Sequence, residues 1–232
     1  MGEPVPVIDA RDVYKTYEGN GLPVHAVNGI SLRVEKGEFT AVVGPSGCGK
    51  TTLLNMIGGL DSITSGEILI GGTKIDSMTD RELTDFRLHR IGFVFQAYNL
   101  IPVLTARENI EFIMELQGVD KAERAVRSRE LLEAVGIAEK ADIRPAKLSG
   151  GQQQRVAVAR ALASEPEFVL ADEPTANLDS HATADLLDMM LEMNLQSGVT
   201  FVFATHDQRV IDRARRVVAL DDGKVASDTT AD

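Results

Sequence analysis

The chain is poor in residues that define several protein classes. It has no tryptophan and a single cysteine, Cys48. One thiol cannot form an intrachain disulfide, which is compatible with a reducing compartment but does not establish one. Basic residues are also in deficit, with 24 Lys and Arg against 35 Asp and Glu and a net charge of −11. This acidic balance argues against a broad nucleic-acid-binding surface.

Targeting and membrane-spanning signals are also lacking. The first six residues, M-G-E-P-V-P, have neither the basic region nor the apolar core of a secretory signal. Pro6 stands where a myristoylation motif requires Ser or Thr. The longest charge-free stretch, Ile91–Ala106, contains two amides and a proline and is too short and polar to span a bilayer. We therefore expect any membrane role to come through a partner.

The chain does have a glycine-rich loop between an apolar run and a helical pattern. Phe39–Val43 leads into Gly44–Gly49, and Lys50 and Thr51 follow, which gives the pattern G-x-x-x-x-G-K-T. Backbone N–H groups of such a loop and the following helix N-terminus bind phosphate oxygens. The Lys50 ammonium can reach β- and γ-phosphates, and the Thr51 hydroxyl can ligate Mg²⁺. The loop predicts a nucleoside triphosphate site, and the alternative is a chance glycine-rich turn. The predicted contact residues are Gly44, Pro45, Ser46, Gly47, Cys48, Gly49, Lys50, Thr51 and Thr52.

The order of patterns predicts an α/β protein with a mostly parallel sheet and flanking helices. The first 37 residues indicate an antiparallel β layer, with separate strand pieces at Val7–Ile8 and Val13–Tyr17 and a turn at Glu18–Gly21. From Phe168 onward, strands alternate with helices, which indicates a parallel sheet. We expect a frayed polar end at Ser227–Asp232. The predicted division is one domain, with a nucleotide-binding core and β layer at 1–96 and 165–232 and an inserted helical subdomain at 97–164.

Two later strands end in polar side chains. The run Phe168–Ala171 ends in Asp172 and Glu173. Next to a phosphate loop, Asp172 would orient Mg²⁺ and Glu173 would polarise the attacking water as a general base. The run Thr200–Ala204 leads to His206, for which we favour a γ-phosphate contact over a structural role, because parallel strand ends converge on the ligand crevice. The remaining histidines are interpreted as surface or packing residues: His25, His89 and His181.

A further helix start has the sequence L-S-G-G-Q, from Leu148 to Gln152. Ser149 and two glycines at a helix N-terminus form a second anion-binding end that has no lysine of its own. The alternative is a plain serine cap on a glycine-rich turn, which the residues alone favour. Cys48, inside the phosphate loop, is either a reactive thiol or, as we prefer, a small residue that fits the turn.

Taken together, these motifs resemble the ATP-binding cassette of ABC transporters, over about Val7–Val225. L-S-G-G-Q followed by D-E-P-T is the most specific part of the resemblance. Two positions depart from the commonest pattern, Cys48 for Ser and Asn177 for a smaller residue. The six motifs are G-P-S-G-C-G-K-T-T, Phe95-Gln96, L-S-G-G-Q-Q-Q-R, V-L-A-D-E-P-T, Asn177-Leu178-Asp179 and Ala204-Thr205-His206-Asp207.

The resemblance implies roles for individual residues. Tyr17 would stack on adenine, whereas Tyr14 is the better candidate for inward packing. Gln96 would ligate Mg²⁺ together with Thr51 and Asp172, and Asp179 would couple two sites. Lys50, Glu173 and His206 would be the catalytic residues. Ser149, Gly150, Gly151 and Gln152 would contact the γ-phosphate of an ATP held by a second, facing copy.

The function implied is an ATPase that binds ATP and Mg²⁺, dimerises head to tail and powers a separate integral membrane permease. It would lie on the cytoplasmic face of the inner membrane, held there by the permease. We expect no nucleic-acid partner. The sequence I-G-F-V-F-Q-A-Y-N-L-I-P is similar to the lipoprotein-release and macrolide-export group. Tyr98–Leu104 would then dock a permease helix or else pack within the helical subdomain. The alternatives are regulation of a cell-envelope enzyme and a soluble ATPase acting on nucleic acid or ribosomes.

Overall fold

The computed structural model describes residues 5–18 and 22–230. Within these residues, ten strands and seven α-helices form two sheets with helices between and outside them. The strands are β1 Ile8–Tyr17, β2 Val24–Val34, β3 Phe39–Val43, β4 Ser65–Ile70, β5 Thr73–Lys74, β6 Ile91–Val94, β7 Phe168–Asp172, β8 Phe201–Thr205, β9 Arg216–Asp221 and β10 Lys224–Thr230. The helices are α1 Lys50–Ile57, α2 Asp80–Arg90, α3 Ala106–Leu116, α4 Lys121–Ala134, α5 Gly150–Ala163, α6 Ser180–Ser197 and α7 Gln208–Ile211.

The predicted N-terminal β layer is present as an antiparallel sheet in the order β2-β1-β4-β5. β1 is one continuous strand, so the expectation of two separate pieces is wrong. Its polar middle residues stay within the strand because β1 pairs with β2 on one side and β4 on the other, with a shift in register between Ala10 and Val13. Of the predicted turn at Glu18–Gly21, residues 19–21 lie outside the described part of the chain.

The second sheet has the order β10-β9-β3-β8-β7-β6, and all its pairings are parallel except β9 with β10. This confirms the predicted α/β fold class. The expectation of a frayed end at Ser227–Asp232 is wrong for the residues up to Thr230. These residues belong to β10, which pairs with β9, and Asp228 accepts two hydrogen bonds from Arg216, at 2.8 and 2.7 Å. Residues 231 and 232 lie outside the described part.

The parallel strands are buried on both faces, and successive side chains enter two different cores. On β8, Phe201 and Phe203 pack among the helices α3–α6, whereas Val202 and Ala204 face α1 and the β layer. The Phe203 ring lies 4.7 Å from that of Phe39, centroid to centroid. This double burial fixes each strand against sliding by one residue, since a slip would exchange its two faces.

Residues 97–164 contain α3, α4, α5 and two short 3₁₀ turns, inserted between β6 and β7. The helices α2, α3 and α5 begin after Thr79, Thr105 and Ser149, each of which forms a capping box with the Glu or Gln three residues later. α3 and α5 share one continuous apolar core with the sheet strands. Among the residues the structure describes, no helix is long and apolar enough to cross a membrane.

Candidate functional site

Pairing of the parallel strands brings the predicted site residues to one edge of the second sheet. Val43 pairs with Thr205, and Ala204 pairs with Asp172, so β3, β8 and β7 end at nearly the same level. The loops that leave these ends surround a cleft of about 550 Å³. Its lining residues are Ala26, Gly44, Pro45, Ser46, Gly47, Gly49, Lys50, Thr51, Thr52, Gln96, Glu173, Ala176 and His206.

The loop after β3 is shaped by glycines in the left-handed region. Gly44, Gly47 and Gly49 have φ values of +149°, +83° and +102°. A side chain on Gly49 would collide with the Ala26 carbonyl, and one on Gly44 with the Leu220 carbonyl. The loop can therefore approach neighbouring backbone closely. α1 begins at Lys50 with Gly49 as its cap, and no acidic residue lies in its first turn, which suits an anion.

Lys50 is almost completely buried at the base of this loop, with 8% of its surface exposed. Its ammonium donates to the Gly44 carbonyl at 2.8 Å and the Pro45 carbonyl at 3.1 Å. Both acceptors belong to the loop itself, so the ammonium is held against the loop. The Cys48 side chain is 4% exposed and packs into the apolar core, the environment of a packing residue.

The three predicted metal ligands lie around the start of α1. The Thr51 hydroxyl donates to Asp172 Oδ1 at 3.0 Å, and Gln96 lines the same cleft. Burial raises the pKa of Asp172 above its usual value, and the Thr51 hydrogen bond only partly offsets that effect. A bound cation would relieve the desolvation of this carboxylate. A few oxygen donors beside a phosphate site fit Mg²⁺, which keeps several waters and takes further ligands from phosphates.

Glu173 and His206 are in direct contact. His206 Nδ1 lies 2.7 Å from Glu173 Oε1, and the Thr205 hydroxyl donates to Glu173 Oε2 at 3.1 Å. Glu173 has a left-handed backbone, with φ of +46°, which is strained for a non-glycine residue. Its amide donates to the Ala204 carbonyl at 2.9 Å, which holds it next to β8. Both carboxylate oxygens are thus oriented at the cleft, while the His206 ring is 74% exposed.

A supporting cluster behind His206 was missed by the sequence analysis. The Thr175 hydroxyl donates to Asp207 Oδ2 at 2.8 Å, and the Arg209 guanidinium donates to both Asp207 oxygens at 2.7 to 3.2 Å. The Arg209 hydrogen bond is the main cause that lowers the pKa of Asp207 to about 2. Asp207 therefore remains ionised at neutral pH and ties the loop after β7 to the loop after β8. Arg209, two residues after Asp207, was the only local sequence signal for it.

The L-S-G-G-Q residues do not line this cleft. The Ser149 hydroxyl accepts from the Gln152 amide at 3.3 Å, and the Gln152 side chain accepts from the Ser149 amide at 3.0 Å. This is the plain cap that the residues alone favoured. The first turn of α5 is otherwise bordered by Tyr98, whose hydroxyl would lie 2.7 Å from a side-chain carbon placed on Gly150. Gly151 packs against α6 at Ala182. Within one chain the L-S-G-G-Q segment and the phosphate loop are thus separate surfaces.

Asp179 and Asn177 also lie outside the residues that line the cleft. The Asp179 carboxylate caps α6 by accepting from the Ala182 amide at 2.8 Å. The Asn177 amide donates to the Gln96 carbonyl at 2.9 Å. Asn177, the position that departs from the commonest pattern, thus connects the loop before α6 to the loop that carries a cleft residue.

Tyr17 lies at the end of β1, outside the lining of the cleft, and is 42% exposed. Its hydroxyl donates to Asp61 Oδ2 at 2.6 Å. Tyr14 is 38% exposed, so the expectation that it packs inward is wrong. β1 has a residue with positive φ at Asp12, which shifts the alternation of its faces, and the Tyr14 ring lies on the backbone at Gly29.

Comparison with known proteins gives one family. The family described as ABC transporter matches residues 27–176 of the chain. An uncharacterised ABC transporter ATP-binding protein of Thermotoga maritima is 46% identical over 94% of this chain and 93% of that protein. The export ATP-binding/permease proteins PvdT of Pseudomonas aeruginosa and MacB of Hyphomonas neptunium are each 44% identical. The chain covers only 35% of the length of either export protein, whereas 99% and 97% of the chain is matched.

Solved structures give the same result. A dimeric, post-hydrolysis state of the ATP-binding cassette MJ0796, bound to ADP and Pi, superimposes with a TM-score of 0.89 at 40% identity. The match covers 97% of this chain and 99% of that one. A second dimeric structure of MJ0796 matches with the same TM-score at 41% identity.

We predict that Gly49→Ala lowers the free energy of unfolding by more than the 1 kcal/mol or so expected for left-handed backbone strain alone. The added methyl must displace the Ala26 carbonyl or move the loop. Urea unfolding followed by circular dichroism measures the loss. The matched control is Gly37→Ala, because Gly37 also has positive φ, at +82°, but has open space around the position of a side chain. Equal losses in the two variants would show that the close approach at Gly49 does not constrain the loop.

Proposed function

This chain belongs to the ABC transporter family as an ATP-binding cassette with ATPase activity, and we propose that it drives a separate membrane permease of an export system. The observation that carries this proposal is the contact between Glu173 and His206 at the mouth of the phosphate loop. A carboxylate held by a histidine and a hydroxyl, beside a lysine and a helix N-terminus, is equipped for water attack on a terminal phosphate.

We assign the substrate phosphates to the loop Gly44–Gly49 and the start of α1. Lys50 would exchange its two carbonyl acceptors for β- and γ-phosphate oxygens. Thr51, Asp172 and Gln96 would hold Mg²⁺, which when bound neutralises phosphate charge during transfer. Thr52 lines the same cleft beside Thr51, where its hydroxyl would contact the phosphates.

Glu173 is assigned as the general base. Its two oxygens contact consecutive residues at the end of β8: Oε2 accepts a hydrogen bond from the Thr205 hydroxyl, while Oε1 contacts His206. This arrangement orients the carboxylate and leaves the exposed His206 ring free to turn toward the γ-phosphate. His206 would then sense whether the phosphate is present, and Glu173 would accept the proton of the attacking water.

The L-S-G-G-Q segment is assigned to a second copy of the chain. Ser149 to Gln152 lie at an anion-binding helix start that is remote from the cleft of their own chain, and the matched MJ0796 structures are dimeric. In a head-to-tail pair this helix start would close the cleft of the facing copy. Asp179, which caps α6 next to Gly151, would couple the two sites.

We assign the docking of the membrane partner to the segment Tyr98–Leu104. Val103 is 68% exposed, whereas Leu100 packs against the helical core, so the segment is anchored and still presents an apolar side chain. PvdT and MacB carry ATP-binding and permease functions in one longer protein. We propose that a separate permease holds this chain at the cytoplasmic face of the inner membrane. Regulation of a cell-envelope enzyme uses the same cassette and is the second candidate, while the net charge of −11 disfavours nucleic acid.

Replacing Glu173 by Gln tests the general base. The amide cannot accept the proton of water, so we expect the steady-state ATPase rate to fall by about 100-fold or more while ATP still binds. The variant should accumulate as an ATP-bound dimer, detectable by light scattering. Near-normal turnover by the purified variant would refute the role of Glu173.

Replacing Ser149 by Arg tests the facing copy. The bulky cation at the α5 N-terminus should leave ATP binding by the monomer unchanged, since Ser149 is not part of its own cleft, but should abolish ATP-dependent dimerisation. Introducing the change into the Glu173→Gln background makes dimer loss measurable by sedimentation. A normal ATP-dependent dimer would contradict the shared-site arrangement.

Replacing Val103 by Asp tests the docking segment. A buried charge at a protein interface is costly, so the fraction of the chain that sediments with native membranes should fall at least about tenfold. The control is Leu195→Asp, because Leu195 is similarly exposed, at 64%, on α6. Equal membrane fractions for both variants would remove Tyr98–Leu104 as the docking surface.

A further inference from the structure

A buried ion pair lies directly beneath Tyr17. The Tyr17 hydroxyl donates to Asp61 Oδ2 at 2.6 Å, and the Lys15 ammonium donates to Asp61 Oδ1, also at 2.6 Å. Only 9% of the Lys15 side chain is exposed, against 27% for Asp61. A buried ammonium requires a charged or polar partner, and here the partner carboxylate is shared with the phenol.

The same ammonium also contacts the aromatic ring. Lys15 Nζ lies 4.9 Å from the centroid of the Tyr17 ring, within the range of a cation–π interaction. It is fixed there by a further hydrogen bond to the Ser62 carbonyl at 2.6 Å. The ring is therefore held at its hydroxyl by Asp61 and at one face by Lys15, while 42% of the residue remains exposed.

This cluster connects the ring to the helix that follows the phosphate loop. The amides of Leu60 and Asp61 donate to the Asn55 carbonyl, at 2.7 and 3.2 Å, and Asn55 belongs to α1. At the start of α1, the Thr52 side chain interacts with the Tyr17 hydroxyl. The ring is thus tied to both ends of the helix whose first residues face the cleft.

The charges of the cluster are well defined at neutral pH. Burial acts to raise the pKa of Asp61, but hydrogen bonds from Lys15 and Tyr17 outweigh burial and lower it overall. Burial and the Asp61 hydrogen bond raise the pKa of Tyr17. The stable arrangement is accordingly an ammonium, a carboxylate and a neutral phenol that donates.

We propose that Lys15 and Asp61 are positioning residues that hold the Tyr17 ring at a fixed place relative to the phosphate loop. Stacking of the nucleotide base on this ring then contributes to the affinity for the nucleotide. The inference rests on the proposed function, with Tyr17 as the ring on which the base stacks, the role that the resemblance to the ATP-binding cassette implies. If the pair served only to attach β1 to the loop after α1, its loss would lower stability without changing the contribution of the base.

The test compares two ligands that differ by the nucleoside, ADP and inorganic pyrophosphate, by titration calorimetry. Tyr17→Phe keeps the ring and removes the hydroxyl from a partly exposed site, so the fold should be retained. We expect ADP affinity to fall about threefold to tenfold, the range for one net hydrogen bond, with pyrophosphate affinity unchanged. Equal weakening of both ligands would overturn the positioning role.

Asp61→Asn, which leaves the hydroxyl of Tyr17 in place, should lower the ADP-to-pyrophosphate affinity ratio in the same way. The double variant Tyr17→Phe, Asp61→Asn should lower it no further than Asp61→Asn alone, because the Tyr17 hydroxyl acts through the Asp61 carboxylate that this change has already removed. Additive losses would mean that Asp61 does not act through the Tyr17 hydroxyl. Arg11→Met is the matched control, since Arg11 is also on β1 and pairs with Asp9 and Glu67, away from Tyr17.

Tyr17→Ala separates this inference from the proposed function. If it leaves the affinity ratio at the wild-type value, Tyr17 is not the base platform and the assignment beneath the inference fails. Tyr17→Ala could instead lower the ADP-to-pyrophosphate affinity ratio while Tyr17→Phe and Asp61→Asn do not. In that case the ring stacks on the base without needing its contact with Asp61, and only the positioning role is overturned.

Discussion

The parallel pairing of β3, β8 and β7 is the constraint on which the site depends. These strands are fully buried, and their register places Val43 beside Thr205 and Ala204 beside Asp172. Three loops therefore leave the sheet at one level, carrying the phosphate loop, His206 and Glu173. A slip of one residue in any strand would exchange its two apolar faces and would also separate these groups. The packing that stabilises the fold is thus the same packing that assembles the cleft.

Two aspartates at this edge of the sheet, Asp207 and Asp172, differ in how far neighbouring groups compensate for the burial of their charge. Asp207 has Arg209 and Thr175, which together keep it ionised and fix the loop behind His206. Burial and the neighbouring Glu173 raise the pKa of Asp172, and the Thr51 hydroxyl and the Lys50 charge offset this only in part. The environment of Asp207 is thus complete within the chain, whereas under the proposed function a Mg²⁺ ion would complete that of Asp172. That contrast distinguishes the two carboxylates more clearly than burial alone does.

Sequence patterns predict what is local or strongly periodic. The strands Phe39–Val43 and Phe168–Asp172 are predicted almost to their ends, because apolar runs buried on both faces are bounded by turn residues. The end of β10 from Ser227 was expected to fray because its side chains are mostly polar and exposed, and its ion-pair partner Arg216 is far away in the sequence. The contacts of Thr175 with Asp207 and of Lys15 with Asp61 span 32 and 46 residues, so no local pattern contains them. The functional roles were predicted from the order of the motifs along the chain. For L-S-G-G-Q the residues alone favoured a plain helix cap, and only the motif order predicted a role in binding phosphate.

The position of Ser149 is the reason that the proposed site includes a second copy of the chain. Its hydroxyl and the Gln152 side chain satisfy each other as an ordinary helix cap, so the segment is stable without any ligand. The cap nevertheless leaves other amides of the first turn, with their partial positive charge, at a surface outside their own cleft. The phosphate loop and the L-S-G-G-Q segment are separate surfaces of one chain, since none of the residues Ser149–Gln152 lines the cleft. In the proposed head-to-tail pair, the helix start of one copy would close the cleft of the other, so a ligand bound in the cleft would become part of the interface between the copies.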